Sequence, residues 1–357
     1  RKDEHGEVVE TPDEMLRRVA KAVAQADAYT SASPAEVRKT EETFYELLSE
    51  LRFLPNSPTL MNAGTNMQQL SACFVLPIED TMESIFTTLR DATLIHQRGS
   101  GTGFSFSRLR PAGDHVKASF GVAAGPVAFL QAYDAALNVV KQGGVRPGAN
   151  MAVLRVDHPD IIRFIEAKAA QKILKNFNLS VGVTDAFMQA VEQDQLYTLR
   201  NPRTYRVVNQ LRAKEVFSLL TQNAWRTGDP GILFLDEINR QHPAPHLGEI
   251  ETTNQCGEAP LLPHEGCMLG SVNLIRCLMA DGLALDWELL RKTVKIAVHF
   301  LDNAVDVHTY LTPIIEETTK KTRKFGLGIM GLAELFFTLG VKYDSEEGLA
   351  FAEKIMA

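Results

Sequence analysis

Apolar residues at helical spacing fill the first part of the chain, and two start signals divide that part into helices. Thr-Pro-Asp-Glu at 11–14 supplies a capping residue, a proline in the first turn and an acid three positions on, which predicts a helix ending near residue 28. Ser-Pro-Ala-Glu at 33–36 repeats the signature and predicts a second helix, to about residue 51. We therefore predict a small helical segment over residues 1–54.

Beyond residue 54 the hydrophobic pattern switches repeatedly between short apolar runs and longer amphipathic stretches. Short runs are typical of strands and long stretches at helical spacing are typical of helices. This alternation predicts an α/β architecture over residues 55–357, in which several strands supply inward-pointing side chains. The predicted strands cover residues 71–76, 104–109, 176–183, 231–235 (buried) and 267–274, and the predicted helices cover residues 80–96, 126–140, 214–226 and 286–305.

Polar, glycine-rich stretches interrupt this alternation. Residues 56–64 and 141–150 are rich in turn residues and predict loops, the second either a plain surface turn or a site for a base or phosphate. Residues 99–103 contain three glycines that superficially resemble a dinucleotide fingerprint, but they follow a predicted helix and lead into a predicted strand. Because that fingerprint must follow a strand and open a helix, we reject a Rossmann site and predict a backbone that a ligand approaches closely.

Composition narrows the class of protein. The chain has 357 residues, of which 45% are hydrophobic, so it can bury a large core in one big domain or two ordinary ones. Its net charge of −7 argues against a nucleic-acid surface, and no signal peptide or membrane-spanning apolar run is visible. Four cysteines are too few for a disulfide-stapled secreted scaffold and favour a reducing cytoplasm. Neither the cysteines nor the histidines show zinc-ligand spacing, so no metal site is predicted.

The candidate chemistry lies in residues 253–261, Thr-Asn-Gln-Cys-Gly-Glu-Ala-Pro-Leu, with Cys267 close behind. If this stretch is extended, Asn254, Cys256 and Glu258 point to the same side, because side chains alternate along a strand. A thiol then lies between an amide that can orient a hydroxyl and a carboxylate that can accept its proton. The alternative is a buried structural cysteine, which is the commoner role for a free thiol and equally open for Cys73.

Several stretches, in this order along the chain, resemble the large subunit of ribonucleotide reductases. They are Asn-Ser-Pro-Thr at 56–59, Ser-Ala-Cys at 71–73, residues 99–110, Gln-Gly-Gly-Val-Arg at 142–146, and Asn254, Cys256 and Glu258 with Cys267. The resemblance implies part of a ten-stranded α/β barrel with a central finger loop that carries a cysteine. The short spacing from Cys256 to Cys267 is similar to the adenosylcobalamin-dependent class, which implies that cofactor.

The resemblance also implies a radical mechanism. Cys256 would become a thiyl radical that takes the 3′ hydrogen of a ribonucleotide, with Glu258 as general base on the 3′ hydroxyl and Asn254 holding the substrate. Cys73 and Cys267 would then form a disulfide as the sugar is reduced. The substrate-binding positions that the family implies are Ser57, Ala72, Cys73, Gly99 and residues 254–258, which are Asn254, Gln255, Cys256, Gly257 and Glu258.

Regulation and partners follow from the same resemblance. Asp80 and Arg108 correspond to residues that bind a deoxynucleoside triphosphate effector, and Gln142 and Arg146 to a loop that reports effector identity to the substrate site. A homodimer is expected, with a thioredoxin- or glutaredoxin-type reductant as a further partner.

Family members continue beyond the region resembled here, and this chain starts at Arg1 rather than Met. We therefore expect a fragment that is inactive alone, with the C-terminal half possibly on a separate chain. Two other functions remain open: a nucleotide-binding regulatory or assembly subunit without catalysis, and a thiol oxidoreductase that uses Cys256 and Cys267 as a local pair.

Overall fold

The computed structural model describes residues 5–116, 121–142, 146–169 and 173–357. The helices are α1 (Pro12–Ala24), α2 (Pro34–Ser49), α3 (Ser57–Asn62), α4 (Met82–Gln97), α5 (Pro126–Leu137), α6 (Ile161–Ile165), α7 (Asp185–Glu192), α8 (Ala213–Thr227), α9 (Leu235–Arg240), α10 (Trp287–Val307), α11 (Pro313–Thr322), α12 (Leu332–Leu339) and α13 (Glu346–Met356). Short 3₁₀ helices cover Gln25–Thr30, Pro245–Leu247 and Leu274–Cys277.

The strands alternate with these helices through most of the chain. They are β1 (Phe53–Pro55), β2 (Cys73–Pro77), β3 (Gly101–Ser105), β4 (His115–Val116), β5 (Gly121–Val122), β6 (Lys141–Gln142), β7 (Arg146–Pro147), β8 (Asn150–Arg155), β9 (Phe177–Val183), β10 (Leu196–Arg200), β11 (Val207–Arg212), β12 (Gly231–Phe234), β13 (Thr252–Thr253), β14 (Pro260–Leu261), β15 (Gly266–Asn273) and β16 (Phe325–Met330). The α/β class predicted from the hydrophobic pattern is confirmed.

The polypeptide divides into two compact units. The first comprises Arg1–Ala72, Cys267–Tyr310 and Arg323–Ala357. The second comprises Cys73–Gly266 and Leu311–Thr322.

The first unit contains the predicted N-terminal helices. Capping boxes at Thr11 and Ser33 open α1 and α2, as the sequence indicates. The rings of Phe44 and Phe53 each pack edge-on against Phe300 of α10, with centroids 5.1 and 5.4 Å apart. Beside this aromatic core, β15 pairs antiparallel with β1 and parallel with β16.

The second unit is built on five parallel strands. β3 pairs with β2 and β8, and β9 pairs with β8 and β12, all in parallel. The buried rings of Phe104, Phe106 and Tyr133 pack against one another with centroids 5.4 to 6.3 Å apart. Because every strand runs the same way, the N-terminal residues of β2, β3 and β8 meet at one end of the sheet, and that end carries the candidate site.

Two helical predictions need correction. The first helix ends at Ala24 rather than near residue 28, since the chain continues as a 3₁₀ helix to Thr30. Residues 56–64, predicted as a loop, contain the helix α3. The carboxamide oxygen of Asn56 accepts from the backbone N–H of Thr59 at 2.9 Å, and Pro58 lies in the first turn, where its missing N–H costs nothing.

Two strand predictions also need correction. The strand predicted over residues 104–109 begins earlier, at Gly101, and ends at Ser105. The glycines belong to it because Gly101 and Gly103 pair with residues of β2, and Gly103 also pairs with β8. The strand predicted as buried over residues 231–235 is β12, which pairs with β9 at the end of the strand order and leaves Phe234 49% exposed. Burial depends on sheet order, which an apolar run does not encode.

Candidate active site

Residues 252–261 form a tight hairpin rather than the extended segment predicted from the sequence. Thr253 of β13 pairs with Pro260 of β14. Between them, the side-chain oxygen Oδ1 of Asn254 accepts from the backbone N–H groups of Gly257 and Ala259 at 3.1 and 3.0 Å. Gly257 has a φ of +93°, which glycine adopts without strain. The Asn254 side chain therefore folds the chain back, an effect that strand periodicity cannot reveal.

The hairpin lies directly on the glycines of β3. A Cβ atom at Gly103 would stand 1.8 Å from the backbone oxygen of Thr253, and one at Gly101 would stand 2.4 Å from Cδ of Gln255. Both distances are far shorter than any non-bonded contact allows. At these two positions the predicted close approach is real, but the approaching group is the chain's own hairpin and not a ligand.

This packing brings Cys73, Asn254 and Glu258 together. The Asn254 amide nitrogen Nδ2 donates to the Cys73 sulfur at 3.0 Å and to Glu258 Oε1 at 2.6 Å. The Cys73 sulfur is itself 3.9 Å from Glu258 Oε1. Cys73 and Asn254 are fully buried, whereas Glu258 is exposed. A buried thiol is thus linked through one amide to a carboxylate that can reach solvent or a substrate.

Cys256 lies in the turn of the hairpin, between Asn254 and Glu258. It is exposed, in contrast to Cys73, which is buried, and neither cysteine is in a disulfide. The contact between Asn254 and Glu258 agrees with the shared side predicted for these residues, and the shared side of Cys256 stays a prediction. Exposure leaves the Cys256 thiol accessible to a reacting group from outside the hairpin.

Three further candidates, Ser57, Ala72 and Cys267, belong to the first unit. Ser57 is the first residue of α3, and Ala72 follows Ser71, whose hydroxyl donates to the backbone oxygen of Cys267 at 2.9 Å. The Cys267 N–H donates back to that hydroxyl at 3.0 Å, so Cys267 is buried and anchored to this segment. The pairing of Cys73 with Cys267 stays a prediction.

The two effector candidates line one polar cavity of about 650 Å³ in the second unit. Asp80 accepts from Arg110 Nε at 2.7 Å. Arg108 donates to Glu251 at 2.6 Å and also contacts Glu79. Neither Arg110 nor Glu251 was singled out in the sequence, although the Arg-Leu-Arg pattern at 108–110 offered a signal for the former.

The other candidate residues are less fully described. Gln142 and Arg146 pair across the short β6–β7 hairpin, but their side chains lie outside the described part of the chain. Gly99 has a φ of +98° at the junction of α4 and β3, a conformation that favours glycine. Burial raises the pKa of the Cys277 thiol, which fits a packing role for that residue.

A buried histidine that the sequence did not single out supports the strand end beneath the hairpin. His96 Nε2 lies 2.9 Å from the Thr102 hydroxyl, which donates to Asn150 Oδ1 at 2.7 Å. Since that hydroxyl donates to Asn150, it accepts from His96, whose ring therefore carries a proton on Nε2. Burial lowers the pKa of His96 to about 4. The network joins α4, β3 and β8.

Two family models together match nearly the whole chain. The model described as ribonucleotide reductase, all-alpha domain, matches residues 1–68, and the model described as ribonucleotide reductase, barrel domain, matches residues 71–357. The chain belongs to the ribonucleotide reductase large-subunit family. This confirms the resemblance and the barrel assignment drawn from the sequence motifs. The predicted domain boundary after residue 54 stays a prediction.

Individual relatives of this reductase-family chain agree with that assignment. A vitamin B12-dependent ribonucleoside-diphosphate reductase of Mycobacterium tuberculosis (strain ATCC 25618 / H37Rv) is 52% identical over 356 residues, covering 99% of this chain and 50% of the relative. A protein of the same name from Thermoplasma acidophilum is 43% identical over 410 residues, covering 100% of this chain and 53% of the relative. The Vaccinia virus ribonucleoside-diphosphate reductase large subunit is 31% identical over 385 residues, covering 98% and 48%. The chain thus spans about half the length of these relatives.

Two features are absent from the described part of the chain, a metal-binding cluster and a membrane-spanning helix. Within the described ranges, no group of three or more His, Cys, Asp or Glu side chains could hold a metal ion. No helix built from the described residues has both the length and the apolar character that crossing a bilayer requires.

Proposed function

We propose that this chain carries the thiyl-radical site of an enzyme that reduces ribonucleotides to 2′-deoxyribonucleotides. Membership of the reductase family supports the reaction. One observation supports the site assignment: the Asn254 amide donates to both the Cys73 sulfur and the Glu258 carboxylate. The exposed Cys256 lies between Asn254 and Glu258 in the sequence, two positions from each.

Each residue has a role that suits its environment. As a thiyl radical, the exposed Cys256 takes the 3′ hydrogen atom of the ribose and becomes a thiol again. The exposed carboxylate of Glu258 accepts the proton of the 3′ hydroxyl, while Asn254 holds this carboxylate and the substrate hydroxyls in place. The 2′ hydroxyl leaves as water. Cys73 and Cys267 together supply two electrons and two hydrogens and become a disulfide. Glu258 then returns its proton to the 3′ oxygen, and Cys256 returns the hydrogen atom to the 3′ carbon and is a thiyl radical again.

Adenosylcobalamin is the proposed cofactor, because the relatives with 52% and 43% identity are named vitamin B12-dependent. When bound, it would supply the radical chemistry by which the Cys256 thiol loses its hydrogen atom. The position of Cys256 in an exposed turn fits this requirement, since the sulfur can be reached from outside the hairpin. The chain's own part is to present that sulfur and to keep Cys73 buried.

Regulation by a deoxynucleoside triphosphate belongs to the same proposal. Asp80 and Arg108 line a shared cavity whose arginines suit phosphate groups. Gln142 and Arg146 would report the identity of the bound effector to the substrate site. Allostery of this kind needs two sites and an element with two arrangements, and the β6–β7 hairpin is our candidate for that element.

The proposed enzyme works with further partners. A thioredoxin- or glutaredoxin-type reductant would restore the Cys73 and Cys267 thiols in a reducing cytoplasm, and a homodimer is the expected assembly. The relatives are about twice as long as this chain, so we assign turnover to the full-length protein.

The test is formation of deoxyribonucleotide by the full-length protein with adenosylcobalamin and a dithiol reductant. Glu258→Gln should lower kcat by about 10²–10⁴, the usual contribution of a general base. Cys73→Ser should abolish multiple turnover, whereas Cys277→Ser, at a buried packing cysteine, should leave turnover unchanged. Normal turnover by Cys73→Ser would overturn the proposal and favour a local Cys256–Cys267 redox pair.

A further inference from the structure

Two amide groups, not one, converge on the sulfur of Cys73. Asn254 Nδ2 lies 3.0 Å from the sulfur, and Gln255 Nε2 lies 3.6 Å from it. Asn254 is explained by the hairpin turn and by Glu258. Gln255 points away from the turn and towards the strand that carries Cys73, although the resemblance implied only a substrate contact for it.

The Gln255 side chain occupies the space left by the missing side chain of Gly101. Gly101 is the direct neighbour of Cys73 in the register of β2 and β3. A Cβ atom at Gly101 would lie 2.4 Å from Gln255 Cδ and 2.7 Å from both Cγ and Oε1. Gly101 lies within a strand, so a need for left-handed backbone does not explain the glycine there. The missing side chain lets Gln255 pass across β3 to the sulfur.

The main chain of Gln255 is held separately. Asn178 of β9 donates its amide Nδ2 to the Gln255 backbone oxygen at 2.7 Å. The backbone of Gln255 is therefore bonded to β9, and its side chain is bonded to Cys73 of β2. A side chain that merely covers a turn would need neither contact.

We propose that Gln255 is a positioning residue for Cys73, which orients the sulfur and stabilises the negative charge that develops on it when the thiol gives up its proton. A hydrogen bond donated to a charged group stabilises that charged form. The inference rests on the proposed function in one respect, namely that Cys73 is one of the two reducing thiols. It adds the group that prepares this thiol for reaction.

The experiment is an ultraviolet titration of the Cys73 thiolate, measured as the difference between each protein and its Cys73→Ser counterpart. Gln255→Met keeps the length of the side chain over Gly101 but removes the N–H donor. We expect the midpoint of the Cys73 transition to move up by about half a pH unit or more, the size expected for losing one weak hydrogen bond to a charged group. An unchanged midpoint would overturn the proposal.

Gly101→Ala supplies a matched test, because it displaces Gln255 without changing a group that bonds to Cys73. It should raise the midpoint as Gln255→Met does, and it should add nothing in the Gln255→Met background. A further shift in that background would contradict the proposal. If Gly101→Ala does not fold, Gln255→Glu replaces it: a carboxylate should raise the midpoint more than methionine, and an equal or smaller shift would count against us.

The titration needs no turnover. A protein that forms no deoxyribonucleotide would defeat the proposed function while leaving the role of Gln255 measurable. An unshifted midpoint in an active enzyme would defeat the role of Gln255 alone.

Discussion

Asn254 uses the full hydrogen-bonding capacity of its side chain at one point in the molecule. Its oxygen accepts from the backbone of Gly257 and Ala259, and its nitrogen donates to Cys73 and Glu258. Two acceptor and two donor positions are all that an amide offers. The residue thus shapes the hairpin and arranges the reacting groups at the same time, and no other side chain of similar size can do both.

Asn254→Asp should show this dual role. The aspartate keeps the acceptor oxygen that shapes the turn, but it places a second carboxylate beside Glu258 and loses both donated bonds. We expect the free energy of unfolding near neutral pH to fall by about 2–3 kcal/mol. Repulsion raises the carboxyl pKa values in the folded state, so the deficit should shrink as pH falls towards roughly 4. Urea unfolding at several pH values measures it.

The control for this prediction is Asn254→Asp combined with Glu258→Gln. It restores a donor opposite an acceptor and should recover most of the lost stability at neutral pH. If the double variant is as unstable as the single one, repulsion between the carboxylates is not the cause.

At the scale of elements, glycines on one face of β3 decide where the hairpin lies. Gly101 and Gly103 are two residues apart, so they share a face of the strand. The hairpin crosses that face in contact with both positions. The glycine run thus permits backbone-to-backbone packing within the protein.

Gly103→Ala should displace the hairpin of residues 252–261 from β3, since the added methyl would lie 1.8 Å from the Thr253 backbone oxygen. We expect a loss of about 3 kcal/mol or more in unfolding free energy, at the upper end of overpacking costs. Residues 252–261 should also become sensitive to proteolysis. Gly231→Ala, whose Cβ would come no closer than 3.1 Å to another atom, the Ser180 hydroxyl, is the matched control. Equal stability of the two variants would contradict the packing.

The His96 network that joins α4, β3 and β8 gives an acid-sensitive contribution to stability. The folded-state pKa of His96 is about 4, below its ordinary 6.5, because burial disfavours the charged ring. Between these two pKa values His96 is protonated in the unfolded chain but not in the folded one. The free energy of unfolding therefore falls as pH drops from about 6.5 to about 4.

Replacing this histidine should reduce that acid sensitivity. In His96→Gln the loss of stability between about pH 7 and about pH 4.5 should be smaller by about 2–3 kcal/mol than in the unmodified chain. Urea unfolding at the two pH values measures the difference. His246→Gln, at an exposed position, serves as the control. An acid loss that is unchanged in His96→Gln would show that this ring is not its source.

At the scale of the whole molecule, the remaining question is which thiols pair. The mechanism that we propose has Cys73 and Cys267 forming a disulfide. Mild oxidation should therefore yield a Cys73–Cys267 bond, identified by peptide mass spectrometry, and leave the buried Cys277 reduced. A Cys256–Cys267 bond as the main product would instead support a local thiol oxidoreductase.

The sequence by itself determined the features that depend on neighbours along the chain. The capping boxes at Thr11 and Ser33 and the alternation of strands and helices were predictable, because local hydrogen bonds and hydrophobic period produce them. The ordered motifs also identified the family.

Tertiary structure alone decided the geometry around Cys73. The segment 253–261 alternates like a strand, yet it becomes a hairpin because the Asn254 side chain outcompetes extended pairing and the glycine face of β3 accepts the turn. The contact of Gln255 with Cys73 depends on a register between β2 and β3 that joins residues 28 positions apart. This register is set by packing across the sheet, so it cannot be predicted from residues that are neighbours along the chain.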